Sequence, residues 1–163
     1  MIAHILLIQN NLSSANVEEI KKAAETQSFG FCQYSLLYNS KQDIHNIGKI
    51  IKEKQGRVII IGHDIGATYA RYFNVVWDVP SIVINPVHKV SEETLYLLEK
   101  IEEFRAIEDK PSTCILFESF EEKDKISKVQ LYEKSEYIVF TVLDYFTVSN
   151  CLVKLRERIV HVS

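Results

Sequence analysis

Residues Val58–Ala70 read Val-Ile-Ile-Ile-Gly-His-Asp-Ile-Gly-Ala-Thr-Tyr-Ala. The apolar run Val58–Ile61 stops at Gly62, and a helix-compatible segment begins at Gly66. The pattern predicts a strand, a very tight turn and a helix, with Asp64 at the tip of the turn. Gly62 and Gly66 have a steric reason. Where a helix folds back closely on the strand that feeds it, there is no room for a Cβ. Such a turn lifts one side chain above the sheet and aims the first N–H groups of the helix at whatever sits there.

Toward the N-terminus, Ala3–Ile8 is a short apolar run and reads as a buried strand, followed by the polar turn Gln9–Ser14. Ser14 is expected to cap a helix through Val17, Ile20, Ala23 and Ala24 to about Gln27. Phe31–Tyr38 alternates and carries aromatics, so it reads as a second strand. Asp43, Ile44, Ile47, Ile50 and Ile51 recur at helical spacing, ending near Gln55-Gly56. Arg57–Ile61 is then a third strand and Ile65–Val76 its helix.

Toward the C-terminus, Ser81–Ile84 is a strand closed by Asn85-Pro86, and Ser91-x-x-Thr94 opens a helix with Leu95, Leu98, Ile101 and Phe104 on one face. Thr113–Phe117 reads as a strand, Asp124–Lys134 as a helix, Glu136–Val142 as a strand and Asn150–Val160 as a last helix. Strands that are continuous apolar runs are those covered on both faces. The alternation therefore predicts an α/β protein: a three-layer α/β/α sandwich, with a mostly parallel sheet of about six strands and residues 1–163 in a single domain. Ligands of such sheets bind beyond the carboxyl ends of the strands. The polar residues there are Gln9, Asn10, Asn11, His63, Asp64, Asn85, His88, the stretch Glu118–Glu122, and Asp144.

Composition narrows the partners. Hydrophobic residues make up 47% and charged residues 25% of the 163, with a net charge of -3. That balance offers no electrostatic attraction to nucleic acid or to an anionic membrane surface. No apolar run approaches the roughly 18 residues of a membrane span. The first residues lack a basic segment and a cleavage site, so no signal peptide is expected. Cys32, Cys114 and Cys151 are widely spaced in apolar settings and read as reduced, buried thiols of a cytoplasmic protein. His63, His88 and Asp64 follow neighbouring strands, but their spacing matches no established ligand motif, so neither a metal nor another cofactor is expected.

Gly62-x-Asp64-x-Gly66 matches the nucleophile elbow of α/β-hydrolases, with Asp where Ser is usual. With Gly62–Ala70 and the strand ending Pro80-Ser81-Ile82-Val83-Ile84-Asn85-Pro86, the chain resembles the small cap-less bacterial α/β-hydrolases of the YqiA/YcfP esterase type. The resemblance spans nearly the whole chain and is strongest in the middle. It implies an α/β-hydrolase-like fold and a hydrolase ancestry. It also implies that the backbone N–H of Ile65 stands at the oxyanion position.

The residues depart from that family at three places. His-Gly-Phe after the first strand is replaced by Gln9-Asn10-Asn11. The acid position falls on Phe120, with Glu121 beside it. The family's base is a His after the sixth strand, where this chain has Leu143-Asp144-Tyr145-Phe146. Asp nucleophiles occur at elbows resembling those of haloalkane dehalogenases and epoxide hydrolases, but the ester an Asp forms needs a His to activate water. Two functions follow. One is a non-catalytic descendant, a pseudoenzyme that keeps the cleft for a small ligand or a protein partner. The other is a hydrolase of a small ester or related substrate, with Asp64 as nucleophile and Glu121 or Asp144 as auxiliary carboxylate. A flavodoxin-like or Rossmann-like binding domain is disfavoured, because no glycine-rich phosphate loop follows the first strand.

Overall fold

The computed structural model describes residues 2–9, 11–86, 90–105, 112–118 and 136–159, with the backbone alone described at 105, 112 and 136–142. The helix expected over Asp124–Lys134, and the candidate residues Asn10, His88 and Glu121, lie outside the described residues.

The strands are β1 (His4–Gln9), β2 (Gly30–Ser35), β3 (Val58–His63), β4 (Ser81–Ile84), β5 (Ser112–Phe117) and β6 (Glu136–Val142). Between and after them run α1 (Ser14–Thr26), α2 (Ser40–Glu53), α3 (Ile65–Val76), α4 (Leu95–Arg105) and α5 (Tyr145–Arg156). All neighbouring strands pair in parallel, in the order β2-β1-β3-β4-β5-β6.

Side chains alternate across the sheet. Ile5, Leu7, Ile59, Ile61, Ile82, Ile84, Cys114 and Leu116 pack in one core with α1 and α5. Leu6, Ile8, Val58, Ile60, Val83, Ile115 and Phe117 pack in the other with α2, α3 and α4. The expected three-layer α/β/α sandwich is therefore the architecture. The mean strand is hydrophobic on both faces because both faces are covered. α3 is buried on all sides from Gly66 to Asn74, packed against α4 and the sheet, which is why its sequence lacks a polar face.

Several boundaries differ from the sequence expectation, each for a local reason. The cap of α1 is Ser13, whose side chain accepts from Asn16 N at 3.2 Å, and Ser14 is the first helical residue. β2 is an edge strand whose pairing with β1 ends at Gln9↔Ser35. Beyond it, Leu37 N and Asn39 N turn inward to the Asp43 carboxylate, so the strand stops short of Tyr38. β3 runs on through Gly62 to His63, because His63 still pairs with Ile84. α5 begins at Tyr145 rather than Asn150. Asp144 caps it, in a capping box with Thr147.

The chain goes from β1 outward to β2, then returns past β1 to β3, so the loops after β1 and β3 diverge at a topological switch point. The elbow fills that point. A Cβ on Gly62 would stand 2.1 Å from the Gly66 carbonyl oxygen, and one on Gly66 would stand 2.2 Å from the Ile8 carbonyl oxygen. Backbone cannot move aside as a flexible side chain can. Gly62→Ala and Gly66→Ala are each expected to lose about 1–3 kcal/mol or more of folding free energy, read as a lower urea midpoint. Unchanged midpoints would mean that α3 does not sit this tightly on the sheet.

Candidate active site

Asp64 occupies the tip of the turn at φ 58, ψ -117, a conformation that L side chains rarely adopt. Its N–H donates to the Ile84 carbonyl at 3.2 Å, and its carbonyl accepts from Ala67 N at 3.0 Å. The strained residue is thus held from β4 on one side and from α3 on the other. Ile65, half-buried, is the first residue of α3, so its N–H belongs to the helix end that lacks intrahelical partners.

The strand register assembles a second group beside the elbow. His63 pairs with Ile84, and Ile84 with Leu116. The residues just beyond these positions therefore meet: Asn85 after β4 and Glu118 after β5. His63 Nε2 lies 2.5 Å from Glu118 Oε1. Asn85 Nδ2 donates to the same oxygen at 2.7 Å, and Glu118 N donates back to Asn85 Oδ1 at 3.0 Å. From α1, Asn16 Nδ2 donates to Glu118 Oε2 at 3.3 Å. With a carboxylate as acceptor, the imidazole carries its proton on Nε2. Nδ1 is buried and has no hydrogen-bond partner among the described residues. His63 is only 4% exposed. Asn85 also holds a left-handed backbone, φ 51, which turns its amide toward Glu118.

The other sequence-predicted residues are dispersed. The Gln9 side chain turns to the sheet edge, where its amide donates to Gln33 Oε1 at 3.0 Å. Asn11 is exposed. Asp144 is exposed as well, and its Oδ1 accepts from Thr147 N at 2.8 Å in the capping box of α5. That carboxylate is engaged at a helix start. Among the described residues, no group of His, Cys, Asp and Glu has the arrangement of a metal site, and no helix is long and apolar enough to cross a membrane.

Glu118 stands at the strand ends in the sequence reading only as part of the stretch Glu118–Glu122, with Glu121 as the named candidate, yet it is the first polar residue after the apolar run Cys114–Phe117. Asn16 is not among the residues the sequence singles out. Nothing local marks it, because its partner is 102 residues away.

The chain has an esterase-like α/β fold. It is similar to the crystal structure of the esterase domain from a Rhodothermus marinus protein, with a TM-score of 0.62 and 13% identity over 95% of this chain and 86% of that one. No protein-family model and no curated protein matches the sequence.

The geometry assigns different costs to the two carboxylates. Glu118→Ala leaves the His63 Nε2 proton buried without an acceptor and is expected to cost about 1–3 kcal/mol. Asp144→Ala removes one helix cap and is expected to cost about 1 kcal/mol. Urea unfolding of both variants checks this. A Glu118→Ala protein as stable as wild type would mean that the His63–Glu118 contact is not formed in solution.

Proposed function

We propose that this chain is a non-catalytic α/β-hydrolase-like domain, a pseudoenzyme that uses the cleft at the strand ends to bind a small ligand or a protein partner. The observation that carries the reading is the 2.5 Å contact of His63 with Glu118, made by a histidine that is 4% exposed. A base for water must present a free nitrogen to the reacting centre. This imidazole uses one nitrogen to hold β5 to β3, and the other is shut away from solvent. Asp144, at or beside the family's histidine position, caps a helix instead. Whatever binds at the elbow meets the Ile65 N–H and the Asp64 side chain at the tip of the turn. On this reading the protein acts in the cytoplasm without a cofactor.

A second reading, a hydrolase of small esters or related substrates, draws on one specific feature. Asp64 keeps the backbone of a nucleophile at φ 58, ψ -117, a conformation costing about 1–3 kcal/mol that persists only where the surroundings impose it. Attack by an Asp64 oxygen on the acyl carbon of an ester would form a mixed anhydride and expel the alkoxide or phenoxide, whereas attack on an alkyl carbon of a halide or epoxide would form an ester and expel halide or open the ring to an alkoxide. Water would then have to hydrolyse that acyl intermediate.

Both readings meet in one assay. Wild type and Asp64→Ala are compared on short p-nitrophenyl esters, haloalkanes and epoxides. The expected outcome is no turnover above the uncatalysed rate with either protein. Turnover by wild type that Asp64→Ala abolishes would replace the first reading with the second.

A further inference from the structure

The sheet has two edges, and they are built differently. β6, at one edge, begins with Glu136, and its register against β5 shifts between Thr113 and Ile115. A register shift and a charge on the strand both hinder pairing with another chain. β2, at the other edge, has neither. Its residues are Gly30, Phe31, Cys32, Gln33, Tyr34 and Ser35, without a charge or a proline. Its register against β1 runs unbroken from His4↔Gly30 to Gln9↔Ser35. None of the six is buried, whereas all six residues of β3 are. Among the described residues, β2 pairs only with β1.

The backbone of β2 shows which groups are open. Gly30 N donates to the Ala3 carbonyl at 2.9 Å, so Gly30 turns its N–H and C=O toward β1. Along an extended strand these groups alternate between the two sides. Cys32 and Tyr34 therefore also face β1, and Phe31, Gln33 and Ser35 present their N–H and C=O groups to the open side. Such an edge is a template for a further strand. An antiparallel neighbour pairs through alternate residues, each pair exchanging two N–H···O bonds. A second copy of β2, laid antiparallel about a two-fold axis at Gln33, meets that requirement. Gln33 pairs with Gln33 of the second copy, Phe31 with its Ser35, and Ser35 with its Phe31. Every open N–H and C=O of both strands is then bonded. Self-pairing would set like charges close together if the strand carried any, and β2 carries none.

The same rotation brings the two ends of the edge together. Beyond the carboxyl end of β2, Leu37 is 58% and Tyr38 56% exposed, and at the amino end Ile2 is 60% exposed. In a single copy these large side chains stand in water at opposite ends of one edge. In the antiparallel pair, Leu37 and Tyr38 of one copy come to the end that carries Ile2 of the other. Removing them from water adds an apolar contribution at each end of the paired strands. We propose that β2 is a homodimer interface, at which two copies of this chain join edge to edge through Phe31, Gln33 and Ser35, making one continuous sheet of their two six-stranded sheets. The interface stands apart from the elbow and from the binding reading above, because β1 lies between β2 and β3.

Sedimentation velocity reads the assembly: between about 10 µM and about 1 mM chain, the mass should move from 18.9 kDa toward twice that value. Hydrogen exchange locates the interface. The amides of Phe31, Gln33 and Ser35 should slow about tenfold at the upper concentration, while those of Cys32 and Tyr34, bonded to β1 in either state, should not change. Two variants test the pairing. Gln33→Pro removes the central outward N–H and takes none from the ladder with β1. Gln33→Lys sets two like charges across the axis and keeps the backbone intact. Each should weaken the dimer about tenfold or more, with the circular dichroism of the wild-type fold retained. A chain that stays monomeric over the whole range would overturn the proposal. So would a dimer that Gln33→Lys leaves unchanged, or one that gives Phe31, Gln33 and Ser35 no protection.

Discussion

The carbonyl oxygen of Gly66 stands where a Cβ on Gly62 would be, and the carbonyl oxygen of Ile8 stands where a Cβ on Gly66 would be. This double contact of backbone on backbone draws the start of α3 down onto β1 and β3. It makes the turn between β3 and α3 so short that Asp64 must take a positive φ. Once α3 is set at that depth, it is covered on all sides, with α4 beside it and the sheet beneath. The elbow is therefore a packing device first. Its geometry persists whether or not the residue at its tip reacts with anything.

What the elbow can do chemically is decided by the strand ends beside it. In a parallel sheet, residues that leave neighbouring strands at the same level become neighbours above it. Here that rule delivers His63, Asn85 and Glu118 into one hydrogen-bonded group, reinforced by Asn16 from the layer below. A buried imidazole bonded to a carboxylate is an arrangement that acid–base enzymes use, with the free nitrogen exposed to substrate. In this chain the same pair is turned inward, where it fastens β3, β4 and β5 together at their carboxyl ends. The donors on Glu118 come from three separate elements, so the group ties together the carboxyl ends of the strands beside the elbow.

How much of this could be read from residues depends on the range of the interaction involved. The elbow was legible because glycine's requirement is local: two glycines around a polar residue, after an apolar run, admit few other conformations. The sheet was legible because burial on both faces writes itself as Val58–Ile61 or Ile82–Ile84. The role of Glu118 was not, because it depends on the register of three strands far apart in sequence, and a Glu in an acidic stretch looks like solvated charge. Asp43 was legible only as a position on the helix face of Ile44, Ile47, Ile50 and Ile51, because its phenolic partners, Tyr34 and Tyr69, come from β2 and α3. The start of α5 was missed although a cue was present, Asp144 followed three residues on by Thr147. The aromatic pair Tyr145 and Phe146 between them reads more readily as a cleft wall than as a helical turn.

We propose that Asp64, held at φ 58, ψ -117 at the tip of the turn, does not act as a nucleophile. Turnover through an Asp64 ester requires water to attack the carbonyl carbon of that ester, which places solvent oxygen in the Asp64 carboxylate and releases the product as an alcohol carrying a former carboxylate oxygen. Incubation with short alkyl halides and epoxides in ¹⁸O-labelled water, followed by mass spectrometry of the peptide containing Asp64, reads this directly. The account predicts an unshifted peptide mass, with neither an alkyl adduct nor ¹⁸O at Asp64. An adduct on Asp64, or ¹⁸O entering its carboxylate in proportion to turnover, would contradict it.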